Sequence, residues 1–291
     1  MAMQRLLIPI LIPILIPICI LLLLSGCSST RVLYGQLDWL IPWYLKDYVS
    51  FTDDQNALLE QRLRTQLRWH RNTQLPFYVK WLRQMRLDAQ DGLSRDELNH
   101  HSERFEDYWK KLLRQIIPDA SVLLSTISDE QIAELFANIE EKNQEYIEDY
   151  INLPDAELRK KRAERVREHL ERWLDKLTPE QIEALSEWSQ RFEPNSAETL
   201  SYRRQWQAQL RHLLAKRHDE DNFGIALREH LLDPKKSQSV FLQQRRARNR
   251  EKFIDLLLRV DALMPVQQRN YLTKKLDDLA NDFEALARAA D

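Results

Sequence analysis

Glycine is scarce in this chain: four residues in 291, two of which, Gly26 and Gly35, precede the main body. Tight β turns need residues that tolerate positive φ, and glycine is their usual supplier. Its scarcity, beside abundant Leu, Glu, Arg and Gln, excludes a β-rich fold and predicts an all-α protein. Cysteine is scarcer still, with only Cys19 and Cys27. The body beyond them has no thiol for a disulfide, a metal site or nucleophilic catalysis, so its core alone must hold it together. No H-E-x-x-H, G-x-S-x-G, glycine-rich phosphate loop or C-x-x-C occurs. Neither sign of charge dominates: 43 basic and 45 acidic side chains leave a net −2, which calls for no polyanionic partner.

What is present begins at the amino end. Arg5 is followed by an unbroken apolar run from Leu6 to Leu24, containing LIPI three times in tandem, and then by small residues. Charged start, apolar middle and small-residue end are the order of a secretory signal peptide. Pro9, Pro13 and Pro17 each remove a helix donor, which argues against a permanent span. Leu24-Ser25-Gly26-Cys27 resembles the lipobox of bacterial lipoproteins. The resemblance implies cleavage before Cys27, diacylglycerol on its thiol and a third acyl chain on its new amino group. More than one acyl chain makes a stable anchor. Ser28 rather than Asp follows, which resembles outer-membrane rather than inner-membrane sorting. The chain thus divides into a signal peptide (1–26), a lipidated cysteine with tether (27–35) and an α-helical periplasmic domain (36–291) with a subdivision near 193–196.

Helix starts recur in one form. Thr52-Asp-Asp-Gln55, Ser94-Arg-Asp-Glu97, Ser128-Asp-Glu-Gln131 and Thr178-Pro-Glu-Gln181 all fit a capping box. Pro179 suits a first helical position; Asn195 and Asp233-Pro234 are further starts. Apolar stripes such as Ile132, Leu135, Phe136, Ile139 and Leu272, Leu276, Leu279, Phe283 follow them. The pattern predicts helices near 52–73, 76–90, 94–117, 128–151, 155–176, 178–192, 196–217, 234–262 and 265–288, in a multi-helix bundle of antiparallel hairpins. The acidic 140–149 and basic 159–167 segments are placed to face each other across Pro154.

The candidate chemistry is thin. The basic runs at 159–167 and 245–252 read as solvated helix faces, and an extracytoplasmic anchor excludes nucleic acid as their partner. His100, His101, His212 and His218 are off any shared helix face and read as surface residues, so no metal site, cofactor, small-molecule substrate or catalytic residue is expected. The unusual feature is aromatic: Tyr34, Trp39, Trp43, Tyr44, Tyr48 and Phe51 crowd one short segment. Two readings stay open. The rings form core, or Trp39, Trp43, Tyr44 and Tyr48 meet a membrane interface or a partner.

That segment, with Leu67-Arg68-Trp69-His70-Arg71 and Leu75-Pro76, resembles an uncharacterised family of proteobacterial lipoproteins catalogued as domain of unknown function 6279. The resemblance implies an α-helical envelope lipoprotein and brings no activity. A weaker resemblance is to periplasmic stress chaperones with L-T-x-x-Q motifs. Leu177-Thr178-Pro179-Glu180-Gln181 matches it, Phe51–Gln55 and Ile127–Gln131 nearly match, and Leu263–Gln267 lacks the hydroxyl. The expectation is a non-enzymatic binding or scaffold lipoprotein on the periplasmic side of the outer membrane, reaching the membrane by its anchor and engaging an envelope protein. The alternative is a chaperone or envelope-stress factor; an enzyme is the least favoured reading.

Overall fold

The computed structural model describes residues 29–289. Leu24, Ser25, Gly26 and Cys27 lie outside the described residues, and with them the lipobox and signal-peptide readings. Among the described residues there are helices and no strands. They are α1 (Ser29–Tyr34), α2 (Leu37–Leu45), α3 (Asp53–Trp69), a π-helical turn (His70–Gln74), α4 (Leu75–Asp91), α5 (Arg95–Ser125), α6 (Asp129–Tyr150), α7 (Asp155–Leu174), α8 (Pro179–Arg191), α9 (Ser196–Ala215), α10 (Glu220–Leu232), a 3₁₀ turn (Pro234–Ser237), α11 (Val240–Ala262) and α12 (Val266–Arg288). No helix among the described residues is long and apolar enough to cross a membrane.

All four capping boxes form. The hydroxyls of Thr52, Ser94, Ser128 and Thr178 accept from the third-residue N–H, and the Gln or Glu side chain reaches back to the cap. Asn195 does not cap with its side chain, and Asp233-Pro234 opens only the 3₁₀ turn, with the long helix starting after Ser239. Two expected breaks at proline are absent. α3 and α4 run on through Pro76, because the π turn inserts one extra residue and lets the Leu75 N–H reach the His70 carbonyl. α5 continues through Pro118, which faces solvent, where water can satisfy the carbonyl that proline frees. The predicted tether also starts its helix early: Ser29–Tyr34 is helical, with Thr30 and Tyr34 buried, and α1 packs on α12.

Three separate hydrophobic clusters result. The first joins α5, α6, α9 and α10 around Trp206, Leu214 and Leu227. The second joins α1, α2, α4 and α12 around Leu37, Leu75 and Ala280. The third joins α7, α8 and α11 around Trp188, Leu185 and Leu256. Buried polar links tie the corners. The α4 helix ends at Gly92, whose φ of 101° favours glycine. Just beyond it the Leu93 N–H donates to Asp261, and Arg269 spans Asp261 and the Ala89 carbonyl. Arg217, 4% exposed, donates to the Ile127 and Leu214 carbonyls.

Two further links have one design. The side chains of Gln55 and Gln131 donate to each other's carbonyl oxygens at 3.1 and 2.7 Å. Each also reaches a backbone carbonyl before the partner helix, Thr126 and Ser50 respectively. Gln181 and Gln268 repeat this at 2.8 and 3.0 Å, with the carbonyls of Val260 and Lys176. The fourth glutamine is therefore Gln268, one position beyond the sequence match at Gln267, which is exposed.

The acidic and basic segments around Pro154 meet only in part. Lys161 pairs with Asp149, and Arg165 lies over the Tyr150 ring. Otherwise α6 packs on α9, and α7 packs on α8 and α12. Burial of apolar faces outweighs exposed ion pairs of about 0–1 kcal/mol.

Candidate functional site

The three clusters do not merge. Between them lies a cavity of ≈ 770 Å³. Leu135, Leu214 and Leu231 line it from the first cluster, Ile41, Leu82 and Phe283 from the second, and Val166, Leu170 and Phe253 from the third. Helical spacing explains the lining. Phe105, Trp109, Leu112, Ile116 and Ala120 recur at steps of four and three and form one stripe of α5. Leu59, Leu63 and Leu67 recur at steps of four on α3. These side chains are only half-buried, because they face the cavity rather than one another. The lining of α5 extends from Leu98 to Leu124, roughly 39 Å of helix at ~1.5 Å per residue.

Polar groups stand at a few points of this lining. Arg62 pairs with Asp119 at 3.1 Å, and the Gln66 amide also donates to Asp119. Gln66 Oε1 is buried there with no hydrogen-bond partner. Farther along α5, Trp81 Nε1–H donates to His101 Nδ1 at 3.1 Å, and His101 Nε2 faces Asp88 at 2.9 Å. The indole can only donate, so the neutral imidazole carries its proton on Nε2. Burial lowers the His101 pKa, and Asp88 opposes it. His70 is held neutral with a pKa of about 4 by burial, with Nδ1 2.9 Å from the Tyr34 hydroxyl.

His101 was expected at the surface and is 6% exposed; its sequence neighbours gave no sign of Asp88 and Trp81, which α4 brings to it. His100, His212 and His218 are exposed. Among the described residues no three His, Cys, Asp or Glu side chains gather in a metal-holding group. The basic run 245–252 is not a solvated face. Arg248 and Lys252 bind Glu193 and hold its pKa at about 2, Arg245 reaches Glu198 and the Pro194 carbonyl, and Arg250 reaches Asn99. Arg245, Arg248 and Lys252 clamp the turn between α8 and α9, and Arg250 ties α11 to α5.

The aromatic segment divides. Tyr34 and Tyr48 are buried, Tyr44 is half-buried with its hydroxyl 3.1 Å from that of Tyr48, and Tyr48 also lines the cavity. Trp39 and Trp43 point outward, 60% and 53% exposed, with their rings stacked at 6.1 Å. One turn of α2 separates them, so they share one face. The cavity itself had no sequence signal, since its lining reads as ordinary helical core.

Fold and site together define an all-α protein built around an apolar cavity. The model of a family of unknown function, domain of unknown function 6279, matches residues 47–246, and the chain belongs to that family. No curated protein matches the chain. No solved structure matches it either.

Proposed function

We propose that this chain is a lipid-anchored, non-enzymatic binding protein of the bacterial envelope. The acyl groups on Cys27 hold it on the periplasmic side of the outer membrane, and its helical body takes an apolar ligand or partner segment into the central cavity. The cavity carries this reading. Its wall is almost wholly aliphatic and aromatic. Covering apolar surface is favourable by ~25 cal/mol per Å², so an apolar occupant gains by entering. The volume also falls within the ~300–1,000 Å³ of ligand sites. The outward Trp39–Trp43 pair supports the anchored placement, because indoles favour the headgroup region and α2 begins ten residues after Cys27.

In-cell photo-crosslinking tests this. A crosslinker at Trp109, on the cavity wall, is compared with one at exposed Glu148. A product specific to position 109 supports a cavity-binding protein; equal or absent products at both overturn it. The second reading, a chaperone or envelope-stress factor, is favoured by the glutamine pairs, which make structural units of the positions resembling L-T-x-x-Q. It predicts a broad set of captured envelope proteins that grows under heat or ethanol.

A further inference from the structure

We propose that the cavity holds the acyl chains of a free membrane phospholipid, with the head group at the Arg62–Asp119–Gln66 edge. This rests on the binding reading above and names its ligand. Size comes first. A cavity of about 150 Å³ lined by Leu, Ile and Phe takes up benzene, six carbons. The present cavity, ≈ 770 Å³, is about five times larger and scales to about thirty carbons, the content of two membrane-length acyl chains. Length agrees. One leaflet of a bilayer's hydrocarbon core is about 15 Å thick, half of ~30 Å. The α5 wall, from Leu98 to Leu124, is longer than that.

Polarity then orients the ligand. Aliphatic and aromatic side chains make up nearly all of the wall, which suits methylene chains and no sugar, nucleotide or peptide backbone. The Arg62 side chain is 45% exposed, at the cavity's rim, and its guanidinium suits a phosphate. Beside it the Asp119 side chain is 18% exposed and accepts from an ammonium or hydroxyl of the head group. The chain's own Cys27 acyl groups have the same chemistry as a free lipid's, so the experiment separates these two sources.

The full chain is purified in detergent with Trp39→Phe and Trp43→Phe, leaving Trp81, Trp109 and Trp173 to report from the cavity wall. The probe is a phosphatidylethanolamine carrying one dibrominated acyl chain, because bromine quenches indole on contact. The expected result is a saturable loss of up to about half the fluorescence, since Trp69, Trp188 and Trp206 also remain and lie off the wall, with an equimolar phospholipid extracted from untreated protein. Ala120→Phe, which places a ring in the cavity from α5, is expected to abolish the quenching; Arg62→Gln is expected to weaken it tenfold for the phospholipid and not for a dibrominated hydrocarbon. Neither quenching nor extracted lipid in the parent protein overturns the proposal without reference to any variant. Quenching seen with Cys27→Ser and not with the lipidated chain also overturns it, since the chain's own anchor then fills the cavity. Proteins captured from position 109 without lipid binding would overturn this inference alone and leave the binding reading standing.

Discussion

The pair Gln55–Gln131 and the pair Gln181–Gln268 are built by one local rule at two depths. In each, the third residue of a helix exchanges hydrogen bonds with its counterpart on a distant helix; Gln55, Gln131 and Gln181 also accept from their own cap N–H, which Pro265 cannot offer Gln268. The first pair joins α3 to α6 and is partly open to water, with Gln55 6% exposed and Gln131 half-buried. The second joins α8 to α12 and is closed, with Gln181 at 0% and Gln268 at 6%. Water can replace a lost partner in the first and cannot in the second, so equal geometry does not mean equal energy. Hydroxyls cap three of the four helices, while Pro265 stands at the cap of α12. The glutamine pairing, rather than the hydroxyl, is therefore what the two regions share.

The largest expected effect is that of Gln181→Ala. It strips a cap and leaves the Gln268 carbonyl oxygen and the Val260 carbonyl without donors in the interior, while the Gln268 amide keeps the Lys176 carbonyl, a loss of about 3 kcal/mol by chemical denaturation. A loss below about 1 kcal/mol would break the argument from depth.

Acid is expected to come next, and it probes both halves. His70 lies in the first half and His230, stacked on Trp206 at 4.3 Å, in the second; burial lowers each pKa to about 4. The unfolded chain takes these protons near pH 6.5 and the folded chain only near 4. Stability from this source is therefore full above pH 6.5 and lost as pH falls toward 4, on the order of 2–3 kcal/mol for His70. His70→Phe should flatten that slope in a urea series; an unchanged slope would show that other groups carry it.

Gln131→Ala is expected to cost about 1 kcal/mol, since Gln55 keeps the Thr126 carbonyl and water reaches the rest. A double-mutant cycle against Gln55→Ala would measure the coupling between the two. Smallest is Gln267→Ala, within about 0.5 kcal/mol by thermal melting, because this exposed residue only imitates the motif. A larger loss would mean that α12 starts one residue earlier than described.

Much of the fold was legible because caps and apolar stripes are local. Thr52, Ser94, Ser128 and Thr178 marked their helices to the residue. What escaped was set by neighbours. α10 carries no capping box and a weak apolar pattern, and its seat on α5 is secured by Gly224, which lets Ser121 approach. The breaks expected at Pro76 and Pro118 follow from proline's own chemistry, and the π turn and solvent exposure remove the need for them. Of the candidate site, the outward Trp39–Trp43 face was visible as an aromatic cluster, but which rings turn inward was not. The spacing of Tyr34, Tyr44 and Tyr48 is equally helical, and only packing against α12 and the first cluster selects them.

The sequence by itself determined an all-α chain, its main helix starts and a core without thiols, because glycine supply, capping chemistry and apolar periodicity act over a few residues. Tertiary structure alone decided that Gln268 and not Gln267 pairs with Gln181, that His101 is enclosed by Asp88 and Trp81, and that the basic run of α11 serves a turn. It also decided that three clusters stop short of one another. Each helix carries a stripe wide enough to bury, and whether facing stripes close on each other or on a shared space depends on how all the helices stack.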